Sequence, residues 1–182
     1  SATGAGSVAL TMGSAFNSAF SGGVTLTTGA IADAQDVSIS AGLATMAMTV
    51  TVEADLALCD AADEDMVITT GSGADVISYE GAGFVGKGSA ADGGSLVISS
   101  GAGDDSITLT TGTLAQQTIT NLVTITAGTG ADTITKTSVN AAYAASVTQF
   151  VIANGDSLTG GRDKITGFDM ANGTLFSDVL DF

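Results

Sequence analysis

Residues 68–78 read Ile-Thr-Thr-Gly-Ser-Gly-Ala-Asp-Val-Ile-Ser, and the frame returns twice. It is Ile-Ser-Ser-Gly-Ala-Gly-Asp-Asp-Ser-Ile-Thr at 98–108 and Ile-Thr-Ala-Gly-Thr-Gly-Ala-Asp-Thr-Ile-Thr at 125–135. The first glycines, Gly71, Gly101 and Gly128, lie 30 and 27 residues apart. Within each block the offsets never vary. Ile68, Ile98 and Ile125 precede the glycine by three, Asp75, Asp105 and Asp132 follow it by four, and Ile77, Ile107 and Ile134 follow the aspartate by two. Rigid offsets inside the blocks with slack between them mean that a loop geometry is fixed while the far side of each unit varies. Self-similarity at such a period is the sequence mark of a repeat architecture.

Between the loops lie strand-like runs. "SLVISS", "SITLT", "NLVTITA" and "DTITKT" alternate apolar and hydroxyl residues or run β-branched, as half-buried strands do. In each block the isoleucine after the Asp points inward and its Ser or Thr neighbours outward. Stacked units would put Ile77, Ile107 and Ile134 in one internal column and Ile68, Ile98 and Ile125 in another. No unit of this kind buries its apolar face alone, because neighbours supply the core. The expected fold is therefore all-β: a parallel β-solenoid or β-roll with coils of about 27–30 residues and Gly-x-Gly-x-Asp turns on one edge.

Weaker copies keep the frame without the full set of polar residues: Leu10, Gly13 and Asn17; Leu26, Gly29 and Asp33; Leu109, Gly112 and Gln116. They suggest that each coil has a second edge with a degenerate loop. Residues 1–65 form the less regular N-terminal part of the solenoid, and 66–182 the strongly repeated part with a capping strand. The run "LATMAMTVTVEADLAL" fits a strand pair or a helix then a strand, and Met46 and Met48 read as core. "LTGGRDKITGFD" keeps Gly-x-Asp-x-Ile, but Leu158 to Asp163 is two residues short of the frame, so it reads as a last, altered coil. The opening "SATGAGSVAL" lacks the pattern of a signal peptide. With the uncapped closing strand "SDVLDF", it makes both ends read as cuts in a larger protein.

Composition narrows the chemistry. The 182 residues carry 4 basic and 19 acidic side chains, a formal net charge of −15, which disfavours nucleic acid and anionic membrane as partners. Histidine is absent and Cys59 is the single cysteine, so zinc, haem and His-dependent catalysis have almost nothing to work with. Twenty-five glycines and no proline suit many positive-φ turns in a chain that keeps its ladder N–H groups. Hydrophobic content of 45% argues against simple disorder.

The Gly-x-Gly-x-Asp loop turns peptide carbonyls and a carboxylate toward one region, and oxygen-only ligands suit Ca²⁺. One loop offers too few oxygens for six to eight ligands, so two stacked loops would have to share an ion. A phosphate cradle would need a helix after the loop and a lysine, and neither is present. The bland alternative is a set of glycine turns with solvated aspartates and no ion. Against it, unneutralised aspartates stacked in a column repel one another.

"TGSGADVIS", "SGAGDDSIT" and "AGTGADTIT" resemble the nonapeptide of the RTX (repeats-in-toxin) family, Gly-Gly-x-Gly-x-Asp-x-apolar-x, with the first glycine replaced by Thr, Ser or Ala. "RDKITGFD" and "SDVLDF" resemble the phrases that close such arrays. The resemblance covers about residues 66–182. It implies a calcium-loaded β-roll, secreted unfolded by a bacterial type I system and folded outside the cell. The ligands it implies are the side chains of Asp75, Asp105 and Asp132 and the loop residues Gly71, Gly73, Gly101, Gly103, Gly128 and Gly130. Asp104 and Asp163 are further candidates. Long Ala/Thr/Ser-rich stretches separate the blocks, a spacing similar to that of bacterial surface-layer proteins and large adhesins. The implied function is a structural, non-enzymatic, self-assembling cell-surface protein. Its partners would be copies of itself and an outer-surface polysaccharide. The runner-up is the calcium-dependent accessory region of a secreted adhesin or hydrolase.

Other residues carry less. Asp60, Asp63, Glu64 and Asp65 read as a solvated acidic turn, Cys59 as a small buried filler, and Lys87, Lys136, Arg162 and Lys164 as too few for a basic patch. Two tyrosines and no tryptophan leave little to grip a sugar. Thr-x-Thr pairs at 25, 108, 118, 124 and 133 raise an ice-binding reading. Outward-facing β-branched residues on ordinary strands are the preferred explanation, because coils of uneven length would break the flat array that such a face needs.

Overall fold

The computed structural model describes residues 8–11, 24–28, 37–52, 65–81, 95–111, 122–138, 147–152, 156, 161–168 and 178–182. Among these there is no helix, and hence none long and apolar enough to cross a membrane. Thirteen strands occur: β1 (Val8–Thr11), β2 (Val24–Thr28), β3 (Val37–Ser40), β4 (Met48–Val52), β5 (Asp65–Thr69), β6 (Val76–Gly81), β7 (Ser95–Ser99), β8 (Ser106–Thr111), β9 (Leu122–Thr126), β10 (Thr133–Ser138), β11 (Val147–Val151), β12 (Lys164–Thr166) and β13 (Val179–Asp181).

Successive strands pass from one sheet to the other. One sheet has seven strands in the order β1-β3-β5-β7-β9-β11-β13, and the other six in the order β12-β10-β8-β6-β4-β2. Every pairing given for the two sheets is parallel. Parallel neighbours cannot be joined by a hairpin; here the strand of the opposite sheet lies within each connection. The protein is thus all-β with parallel strands in two sheets, an arrangement consistent with a parallel β-helix or solenoid.

Register follows the isoleucines. In the six-stranded sheet Val50, Ile77, Ile107, Ile134 and Ile165 are successive partners. In the seven-stranded sheet the run is Leu10, Ile39, Ile68, Ile98, Ile125, Phe150 and Leu180. Both expected columns are present, and their inner members are 0–2% exposed. Burying each such side chain contributes about 1.5–3 kcal/mol. Second columns run beside them, Met66–Leu96–Val123 in the larger sheet and Val52–Tyr79–Leu109 in the smaller, and all are fully buried. Leu10 and Leu180, at the two edges of the larger sheet, are 39% and 41% exposed because no further strand among the described residues covers them.

The less regular N-terminal part joins the same ladders through β1 to β4. In the segment open to two readings, Met48–Val52 is a strand, and residues 41–47 form a turn containing no helix. Met48 is buried, with Met46 packed at the margin of its cluster. Cys59 and the acidic run 60–64 lie outside the described residues. So do Gly13, Asn17, Gly29, Asp33, Gly112, Gln116 and Lys87 of the weaker copies and basic residues.

The last coil corrects the expected frame. Ile165 pairs with Ile134, so Asp163 falls level with Asp132. The partner of Ile125 in this coil is Phe150, and Leu158 lies outside the described residues. The path from Phe150 to Asp163 is thus longer than the block frame, the opposite of what counting from Leu158 suggests. Phe150 also packs on Phe168, ring centroids 5.7 Å apart.

Candidate metal centre

The three strong blocks are the loops that join β5 to β6, β7 to β8 and β9 to β10. They stack directly. The Gly71 carbonyl accepts the Ala102 N–H at 2.9 Å, and the Gly101 carbonyl accepts the Thr129 N–H at 3.0 Å. Glycine is required at these corners for two reasons. Gly101 has φ +96°, and a Cβ built on it would lie 2.0 Å from the Gly71 carbonyl oxygen. The loop at 41–47 stacks below the first strong block in the same way, the Ser72 N–H donating to the Ala44 carbonyl at 2.7 Å.

Each block aspartate immediately precedes a β-strand and reaches back one coil. Asp75 Oδ1 accepts the Met48 N–H at 2.7 Å, Asp105 Oδ1 the Asp75 N–H at 2.8 Å, and Asp132 Oδ1 the Asp105 N–H at 2.8 Å. Asp163 Oδ1 continues the series to the Asp132 N–H at 3.1 Å. The result is a file of carboxylates rising through the stack at the strand spacing of about 4.8 Å. Asp75, Asp105 and Asp132 are 1–2% exposed.

Only half of each carboxylate is used. The Oδ2 atoms of Asp75, Asp105 and Asp132 are buried and have no hydrogen-bond partner among the described residues. Thr70 and Ser100 lie close by, but each hydroxyl proton is already given to a carbonyl, Thr70 to Ser100 at 3.0 Å and Ser100 to Ala127 at 2.8 Å. These two stand where the RTX nonapeptide has its first glycine, and they stitch adjacent loops together. Sequence reading noted them only as departures.

Electrostatics follow from the burial. Desolvation raises the Asp105 carboxyl to about 6, against weaker lowering by the Asp75 N–H and Ser100, and the charges of Asp75 and Asp132 push it further up. Burial likewise raises Asp75, partly offset by Thr70 and the N–H groups of Met48 and Gly71. Asp132 is raised by burial first, then by the charges of Asp163, Asp104 and Asp156. A buried charged oxygen left without a partner costs about 1–3 kcal/mol or more.

A built-in contrast lies at the far end. Asp178 also immediately precedes a strand and reaches back, accepting the Thr148 N–H at 3.0 Å. Its charge is met by Lys136 Nζ at 2.6 Å, both side chains being almost fully buried. Lys136 occupies the column of Val52, Tyr79 and Leu109, so it crosses the core to reach Asp178. The alternation Thr-Ile-Thr-Lys-Thr places Lys136 on the inward side with Ile134, a signal that weighing basic residues only as a patch overlooks.

The remaining candidates separate. Asp104 is exposed and accepts the Ala131 N–H at 2.9 Å, outside the buried file. Asp156, not singled out from sequence, is buried and within electrostatic reach of Asp132. Among the described residues no three acidic side chains converge into a cage. The donor set fits a hard cation in one specific way: oxygen atoms only, a carboxylate oxygen per coil without a donor, and carbonyls of Gly71 and Gly101 that keep a second lone pair. Any such ion would be shared between neighbouring coils.

Comparison of the chain with protein-family models, with curated proteins and with solved structures finds no match.

Proposed function

We propose that this chain is a segment of a calcium-stabilised parallel β-solenoid of the RTX type, a structural and non-enzymatic component of a bacterial cell surface that assembles with copies of itself. One observation carries the calcium reading: three successive buried aspartates each present an oxygen with no hydrogen-bond partner and have no ion pair among the described residues. Where the fold buries the similar Asp178, it supplies Lys136. Among the described residues the block aspartates have no such lysine, so an exchangeable cation would supply the missing charge. Asp75, Asp105 and Asp132 would hold it, with Asp163 at the end of the file and oxygens from Gly71, Gly73, Gly101, Gly103, Gly128 and Gly130 completing the shell. The ion contributes positive charge and joins coil to coil, so its binding free energy is folding free energy.

The structural role is supported by what the strands present: inward apolar columns, outward Thr and Ser, and Tyr79 fully buried. The spaced blocks and acidic surface fit an extracellular location, where calcium is abundant. Calcium titration of the wild-type chain and of Asp105→Asn by isothermal calorimetry tests the reading. The expected result is binding by the wild type and a reduced stoichiometry in the variant. Absence of binding at millimolar calcium would overturn it.

A further inference from the structure

Coil length varies, with successive block aspartates 27, 30, 27 and 31 residues from the residue they bond in the coil below. This unevenness would be expected to scramble any outer pattern. It does not, because the paired strands of the six-stranded sheet keep an unbroken register. On its outer face Thr51, Ser78, Thr108, Thr135 and Thr166 are successive partners, a file of hydroxyls crossing five strands. Two residues back along each strand runs a mixed file, Thr49, Val76, Ser106, Thr133 and Lys164, with hydroxyls at three of its five positions. Thr110 and Thr137 begin a third.

We propose that this face is a binding surface for an ordered water lattice, that is, for ice. The hydroxyls repeat at about 4.8 Å across strands and about 6.7 Å along them. Threonine has few χ1 states, so its hydroxyl and methyl are held in place before binding. A fixed array of hydroxyls can anchor a layer of water with little loss of entropy, while the methyls between them fit into its gaps. The face is also nearly free of charge. In a chain of net charge −15, Lys164 at the sheet edge is the one charged side chain described on it, with Glu80 placed at the end of β6. Charges organise water around themselves and would disturb a regular layer. The outer face of the seven-stranded sheet carries one comparable file, Thr11, Ser40, Thr69, Ser99 and Thr126, but the file beside it runs Val67, Val97, Thr124 and Gln149, and Val151 and Asp181 follow Thr126. A polysaccharide is the poorer fit, because sugar rings are gripped by aromatic faces, the chain has no Trp, and Tyr79 is buried.

The inference rests on strand register and not on the calcium reading. The test freezes a solution of the folded chain slowly, in calcium buffer and with circular dichroism as a folding control, and measures partition into ice together with thermal hysteresis. The wild type is expected to enter the ice and to show hysteresis. Thr108→Tyr and Thr135→Tyr should lose most of both, while Thr124→Tyr on the opposite sheet should lose neither. Exclusion of the folded wild type from ice would overturn the proposal. So would equal losses in all three variants, retention by insoluble cellulose or chitin without ice binding, or a wild-type dimer that Thr108→Tyr dissociates.

Discussion

An aspartate locked between two coils must be neutralised, and the agent decides how the protein responds to pH. In the cation-free chain the Asp105 carboxyl lies at about 6 against an ordinary 3.8, raised first by burial. The folded state therefore holds a proton that the unfolded state releases across that window. Stability is then lost as pH rises through about 6 and fully present below 3.8. Asp75 and Asp132 shift in the same direction. In chelator, the urea midpoint is expected to rise from pH 7 to pH 5, Asp105 alone contributing on the order of 1 kcal/mol over that interval. With calcium bound the sign reverses, because protons compete with the ion. A chelated midpoint that falls on acidification would contradict the placement of these carboxylates. The corner glycines make a second residue-scale prediction. Gly101→Ala combines a positive φ with a Cβ 2.0 Å from a carbonyl oxygen and should cost about 2–5 kcal/mol. Gly42→Ala, whose nearest neighbour would be Thr69 Cγ2 at 3.4 Å, should change stability by no more than about 0.5 kcal/mol. Paired urea melts would separate the two.

At the scale of the element, the strands near the C-terminal edge exchange apolar core for a buried ion pair. Removing one partner of such a pair leaves an uncompensated charge and costs about 3–5 kcal/mol, whereas replacing both is close to neutral. Lys136→Leu should accordingly destabilise the chain strongly, because Asp178 remains. Adding Asp178→Asn, which keeps an acceptor for the Thr148 N–H, should recover most of the loss in a double-mutant cycle. The two changes behaving additively would mean that the pair has no such coupling. This element also shows where sequence reading stops. The columns of Ile77, Ile107 and Ile134 and of Ile68, Ile98 and Ile125 were legible, since fixed offsets leave one register that buries them together. The Asp163 frame was not, because lengthening of the loop after Phe150 hides its alignment with Asp132. The hydroxyl files were legible as Thr-x-Thr pairs. Their continuity was not, because coil length says nothing about where extra residues are absorbed.

For the molecule as a whole, the proposed cation is part of the fold. Apolar columns hold the two sheets together, and the file of Asp75, Asp105 and Asp132 along one edge opposes them unless it is neutralised. The most direct test follows amide hydrogen exchange of β6, β8 and β10 in calcium and then in EGTA. The account predicts strong protection of β6, β8 and β10 in calcium and its loss in EGTA, in step with the far-ultraviolet circular dichroism signal. Equal protection of these strands in both solutions would contradict it.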